Sequence, residues 1–463
     1  MVNLTSGNVA KSIFSFTWPM LVGNVFQQLY NIVDAIIVGK YVGKEALSGV
    51  LASSQVVMVV IALIMGVGIG GTVVIAQYYG ARNYKRVQEA SETINMFLLA
   101  ASIILGILGM LFCNQILKII QLPPEAFGHA RSYLMIYFAG LFTVFGYNAT
   151  SSNLRGIGDS KTPLYALIIS TILNIGLDFL FILKFEMGAG GASLATVIAQ
   201  LASWIFVIIY VNKKTTVLKF KLFRGRFNFN IFKQCIRIGL PSGIQQTFAA
   251  MGMTALFGIV NSFGVDVSAG YGAAMRIDSF ASLPAMNFSA TLSTFVGQNI
   301  GAGFMNRVKK GLSSTLLMSG SISILVSIAV MTFRQPLIGL FTDAVNTEVI
   351  TVGSQYLTIV CSFYIVFSTM FVFNGLHRGA GAALAPMVFS LISLWLARVP
   401  LTWILSRTEL GYAGIFWAIP IAWGIGLTLT VTYYFSGKWK NKSVTAISKR
   451  KEMSNSITET DSL

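Results

Sequence analysis

Asp34 stands in the stretch YNIVDAII with apolar residues on both sides. An ionisable group in such surroundings is expensive and is read as functional. A carboxyl in low dielectric can take a proton from one side of a barrier and release it when its exposure changes or a competing cation arrives; the alternative role is a structural acid bonded to a neighbouring helix. Pro19, fifteen residues earlier, removes a backbone donor and favours a kink, either a hinge that couples protonation to helix bending or a bend kept for packing. Asn174 and Asp178 are four apart in LNIGLDF, so on a helix both project from one face. With Thr196 from SLATVIAQ they offer carboxylate, amide and hydroxyl oxygens. Such a set suits a proton or a hard cation such as sodium and does not suit a soft metal.

Three further charges sit in apolar stretches. Arg276 and Asp278 are two apart and share no helix face, so they neutralise each other loosely or pair across helices, and Arg398 in LARVPL satisfies carbonyls, Asp278 or a substrate. Tyr30, Tyr137 and Tyr147, with Trp204, Phe257 and Tyr271, are aromatic surfaces suited to lipophilic cations, although 34 Phe and 16 Tyr mean that most rings pack or face lipid. Cys113, Cys235 and Cys361 are far apart, and His129 and His377 stand alone, which leaves no metal ligand set and no disulfide framework. No phosphate-binding GxxxxGK[ST] loop is present. An intramembrane aspartyl protease would use two aspartates sharing a proton, but Asp178 lies in NIGLD rather than GxGD. The sequence implies no enzyme, no cofactor and no bound metal beyond sodium at a coupling site.

The elements that must carry these residues are membrane helices. Of the 463 residues 55% are hydrophobic and 11% charged, with a mean hydropathy of +0.72. Soluble chains average about 25% charged residues, so this chain lacks the polar atoms to cover a soluble surface. Apolar runs predict spans near Ser15–Val38, Leu47–Tyr78, Ile94–Phe112, Tyr133–Ser152, Leu164–Leu183 and Ala192–Val211, then Gly239–Phe263, Gly270–Gln298, Leu312–Thr332, Tyr356–Phe373, Pro386–Leu405 and Gly414–Phe435. The runs are continuous rather than alternating, which excludes a barrel. The fold class expected is an all-α integral membrane protein of twelve transmembrane helices. No apolar region with a cleavage site precedes the first span, so no removable signal peptide is expected.

Alternate loops divide the basic residues unevenly. Of the 33 Lys and Arg, 24 fall on one side and 7 on the other, with Arg276 and Arg398 inside spans. The positive-inside rule puts both termini in the cytoplasm of a plasma or inner membrane and accounts for the net charge of +17 without a nucleic-acid partner. The organisation expected is an N-lobe over residues 1–212, a basic cytoplasmic linker over 213–238, a C-lobe over 239–437 and a disordered cytoplasmic tail over 438–463.

The two lobes repeat one another. AQYYGARNYKR from Ala76 lies on GQNIGAGFMNR from Gly297 at an offset of 221, and Arg155, Gly156, Gly158 and Pro163 lie on Arg378, Gly379, Gly381 and Pro386 at 223. GAGGASLA from Gly188 lies on GYAGIFWA from Gly411 at 223 again, and Pro19 and Pro241 open the two halves. Six spans per repeat make both halves start in the cytoplasm, so the expected relation is a parallel pseudo-two-fold between two six-helix bundles, as in transporters that work by alternating access. A channel has less use for acids confined to one lobe and for hinge prolines.

The opening WPMLVGNVFQQLYNIVDAIIVGK, the QYYGARN loop, the NLRGIGDSKTP segment and the NIGLDFLFI span, in a duplicated twelve-span chain, resemble the multidrug and toxic compound extrusion (MATE) transporters from Leu4 to Lys440. The resemblance implies a secondary antiporter that exports drugs or toxic organic compounds, often cationic and amphipathic, in exchange for protons or sodium. It also implies that Asp34, Asn174, Asp178 and Thr196 form an N-lobe cation site. The seventh span carries Gln245 and Gln246 but no acid, and the tenth has none, a pattern similar to the DinF-like branch rather than the NorM branch. Asp278 with Arg276 departs from the simplest N-lobe account. The partners implied are small organic molecules and membrane lipids, with the protein a monomer. A lipid-linked sugar flippase of related architecture is the alternative, one that favours a more basic cavity than Arg276 and Arg398 provide.

Overall fold

The computed structural model describes residues 2–220, 225–342 and 346–445, with no side chain described at 63 and 64. Of the tail expected to be disordered over 438–463, Lys438–Asn441 instead forms a 3-10 turn that buries Trp439 against Tyr434, while residues 446–463 lie outside the described residues, which are helical apart from turns and short connections. Among the described residues nine helices are long and apolar enough to cross a membrane, and the bent pair Thr347–Cys361 and Tyr364–Gly379, at 52°, makes a tenth. The pairs Pro124–Ala139 with Leu141–Gly156 and Val265–Ala281 with Leu283–Gly301 supply spans 4 and 8 of the twelve.

The first compact unit runs from Trp18 to Gly239, and the second joins Asn3–Thr17 to the chain from Leu240 onward. The first helix, Val9–Tyr41, and the seventh span, Phe229–Asn261, therefore each change unit within one or two residues of an internal proline, Pro19 and Pro241 respectively. Helices overrun the apolar runs, span 2 at both ends and span 3 at its start. Span 2 is helical over Lys44–Gly80 and span 3 over Tyr84–Leu111, because backbone pairing continues where side chains have become polar.

The repeat extends to single contacts. Span 4 ends at Gly156 and span 10 at Gly379. A side chain on Gly156 would place its Cβ 2.7 Å from Ile75 Cγ2 and 3.0 Å from the Thr72 carbonyl oxygen; one on Gly379 would lie 2.9 Å from both Val296 Cβ and Ser293 Cα. Thr72 and Ile75 become Ser293 and Val296 at the offset of 221, so each unit closes the same pair of helices on the same glycine. Two residues on, Gly158 and Gly381 have φ of 91° and 88°, the left-handed turn that ends a helix without a Cβ penalty. The closing bonds match as well, Asp159 N–H to Leu154 O at 2.9 Å and Ala382 N–H to His377 O at 2.8 Å. Gly156→Val should cost about 3 kcal/mol by overpacking this contact. Thermal unfolding in detergent reads it as a lowered midpoint, and an unchanged midpoint would show that the helices separate freely here.

Spans 5 and 11 share another irregularity. Span 5 is α-helical over Lys161–Asp178 and π-helical over Phe179–Lys184; span 11 is α-helical over Leu384–Leu391 and π-helical over Ile392–Arg398. Widened turns re-aim side chains and recur at functional sites. Here one begins directly after Asp178 and the other ends on Arg398.

Candidate cation site and cavity

Four helices of the first unit each contribute a pair of residues one turn apart. Span 1 presents Tyr30 and Asp34, span 4 Tyr133 and Tyr137, span 5 Asn174 and Asp178, and span 6, over Gly188–Lys214, Thr196 and Gln200. The spacing of four aims both members of each pair the same way.

Asp178 is fully buried, and Asp34, Asn174 and Thr196 are buried with it. The two carboxyls lie within hydrogen-bonding reach of each other. With its amide nitrogen turned toward span 5, Asn174 donates to Asp178 Oδ2 at 2.9 Å and accepts from the Thr196 backbone N–H at 3.3 Å. The Thr196 hydroxyl donates to Ala192 O at 3.1 Å, so the 2.7 Å contact with Tyr30 is made by the tyrosine O–H donating to Thr196 Oγ1. Asp34 Oδ1 and Asp178 Oδ1 are buried with no hydrogen-bond partner. Two carboxyls in contact repel unless a proton or a cation sits with them. The unpartnered atoms are hard oxygens, the donor type suited to such an ion. Among the described residues no group of three or more His, Cys, Asp or Glu is placed to hold a metal ion.

A cavity of about 550 Å³ opens beside the pair. Asp34, Tyr30 and Thr196 line it, as do Pro19, Tyr137 and Tyr147, whereas Asn174 and Asp178 do not. The structure thus brings Asp34, Asn174, Asp178 and Thr196 together and sets the three tyrosines around the adjoining space. Tyr133 and Tyr137 stack with centroids 6.2 Å apart and planes 9° from parallel, a flat apolar wall.

Sequence reasoning missed Tyr133, Gln200 and Arg155 on this surface. The spacing of four from Tyr137 and Thr196 was the available signal for the first two. Arg155, one of the 24 basic residues that the loop count puts on the cytoplasmic side, lies in the last turn of span 4 and lines the cavity.

The second unit arranges its charges differently. Asp278 accepts a 2.5 Å hydrogen bond from the Tyr364 hydroxyl. Arg276 does not pair with it: its side chain is exposed, with the guanidinium 5.7 Å from the Phe341 ring centre. Arg398 is buried, forms no ion pair within 4.0 Å among the described residues, and has Met253 Sδ at 3.9 Å from its guanidinium. Tyr271 packs edge-on against Tyr356 and Phe257, a core role rather than a ligand's.

The MatE family model matches residues 19–180 and 241–404, one copy in each half. The chain belongs to the MatE family. It is a multi-pass membrane transporter of twelve helices and not an enzyme. MatE relatives cover nearly its whole length: it is 33% identical to the probable multidrug resistance protein YpnP of Bacillus subtilis (strain 168), over 95% of this chain and 97% of that one. It is 28% identical to the probable multidrug resistance protein NorM of Thermotoga maritima, over 96% of each. Among solved folds, an outward-facing multidrug resistance MATE transporter superposes with a TM-score of 0.87 at 23% identity, over 94% of this chain and 97% of that one.

Proposed function

We propose that this MatE protein is a secondary antiporter that exports organic, drug-like amphiphiles in exchange for protons or sodium, with Asp34 and Asp178 as the coupling pair. The observation that carries the reading is the contact between two buried carboxyls, each with an unpartnered oxygen, beside a cavity of about 550 Å³. The multidrug names of its relatives agree with it. A proton or sodium ion and the positive end of a cargo both require the negative charge of this pair. Each therefore weakens binding of the other by the same factor, which is the thermodynamic requirement for exchange. Pro19 lines the cavity on the helix that carries Asp34, so a change of protonation and a bend of span 1 act on the same segment.

Uptake of a fluorescent zwitterionic amphiphile into everted membrane vesicles, in which export runs inward, driven in separate runs by a pH gradient and by a sodium gradient, tests the reading and identifies the ion. Transport under neither gradient would end it. The charge asymmetry of the loops supports a plasma membrane location with cytoplasmic termini. Reporter fusions after Lys442 and in the loop at Val265 should label opposite sides of the membrane; both on one side would refute that orientation.

A further inference from the structure

Arg155 is a charged group that the coupling chemistry does not use. Its side chain lines the cavity and its Nε is buried with no hydrogen-bond partner. A guanidinium keeps its charge in any protein, and holding it in low dielectric without a counter-ion is costly. The nearest acid in sequence is engaged elsewhere: Asp159 Oδ1 accepts from the Lys161 and Thr162 backbone N–H groups, both at 3.1 Å, and its Oδ2 from Thr162 Oγ1 at 2.7 Å. Among the described residues the only ion pair within 4.0 Å is Lys44 with Glu45. Ser160, buried on the same cavity wall, has a hydroxyl that is also without a partner.

The repeat shows what Arg155 lacks. Its copy, Arg378, donates Nη2 to Ser289 Oγ at 3.0 Å. Ser289 falls on Gly68 at the offset of 221, so the first unit has lost the hydroxyl that occupies the arginine in the second. Position adds to this. Asp34 and Asp178 each lie fifteen residues beyond a proline, Pro19 and Pro163, near the start of their spans. Fifteen residues of helix rise about 22 Å. Arg155 ends span 4 and Pro163 opens span 5, and both line the cavity, so the base and the acid pair lie toward opposite ends of one unit.

We propose that Arg155 and Ser160 form an anion-recognition subsite in the first unit, which takes the carboxylate or phosphate of a cargo whose apolar body lies along the cavity tyrosines. A charged, forked donor beside a free hydroxyl matches a planar carboxylate or a phosphate and gives no purchase to a purely cationic drug. The inference rests on reading the cavity as the cargo site, and it narrows the substrate class to amphiphiles that carry an anionic group as well as the positive end required at the acid pair.

Equilibrium binding separates this idea from the antiport reading, because it needs no gradient. The full chain in phosphatidylcholine nanodiscs is titrated with dansylglycine and with dansylglycinamide, which differ in the carboxylate alone. The wild type should bind the acid about tenfold more tightly, the scale of one charge-assisted hydrogen bond. Arg155→Gln should abolish the preference and Arg155→Lys should keep part of it. Gly68→Ser, which meets only the Ser152 hydroxyl at 2.9 Å, should weaken the preference by restoring a partner to Arg155, and it serves if Arg155→Gln fails to fold. Repeating the titration with phosphatidylglycerol in the disc identifies the natural source of the anion: competition in the wild type alone points to a lipid phosphate, and its absence to a soluble cargo. Equal affinity for acid and amide in the wild type, or a preference that survives in Arg155→Gln, or in Gly68→Ser where Arg155→Gln does not fold, overturns the subsite.

Discussion

Asp34→Asn and Asp178→Asn are each expected to reduce coupled export to background, about 100-fold or more, while the protein still inserts and folds. The size follows from removing a positioned proton-transfer group, which acts on the scale of about 10²–10⁴. Folding survives because asparagine preserves the shape and most of the bonding. An amide oxygen at position 178 can still accept from Asn174, which now donates to Asp178 Oδ2 at 2.9 Å. An amide N–H at either position can fill the place of the shared proton between the two groups. What asparagine cannot do is exchange that proton or offer a full charge to sodium. Uptake into everted vesicles, read beside the thermal midpoint of each purified variant, makes the comparison. Wild-type transport by either variant at normal expression would remove these residues from the coupling step.

The second large effect is a contrast between the two units. At the offset of 223 Asp178 falls on Leu401 and Asn174 on Ala397, so the second copy has lost the oxygen ligands that the first keeps. Its remaining intramembrane acid, Asp278, is held by the Tyr364 hydroxyl, and Tyr364 belongs to the hydrophobic core of that unit with Tyr271 and Tyr356. Asp278→Asn should therefore cost stability, about 1–3 kcal/mol for disturbing a hydrogen bond to a charged group. The dependence of transport on pH and sodium should stay intact, whereas Asp178→Asn should eliminate it. Transport by both variants, measured against each ion in turn, decides which unit is driven. Uncoupling by Asp278→Asn with coupling preserved in Asp178→Asn would place the ion site in the second unit.

These contrasts separate what was legible along the chain from what was not. Apolar runs marked twelve spans because a helix in lipid must satisfy its own backbone and present apolar side chains over about twenty residues. The irregularities inside them were less legible. No residue type demands the π-helical turn after Asp178, and the break at Gly140 in span 4 has only a glycine to mark it, whereas the turn before Val399 runs up to Pro400, which has no N–H to give to the Leu396 carbonyl. The candidate cation residues were legible because an acid among apolar neighbours is conspicuous, and Asn174 with Asp178 because their spacing defines a shared face. Tyr133 and Gln200 were hidden among many aromatic and polar residues of equal merit.

By itself the sequence determined the helices, the duplication, the faces on which single polar residues lie, and which copy kept its acids. These are properties of one helix at a time, or of two segments compared letter by letter. The tertiary structure decided which faces meet: that Asp34 of span 1 reaches Asp178 of span 5, that Tyr364 rather than Arg276 or Arg398 answers Asp278, and that Arg155 turns toward the cavity. The physical reason is that contacts between helices depend on how closely the backbones approach. That is set at small residues such as Gly156 against Ile75, through packing among segments far apart in the chain, which no local pattern records.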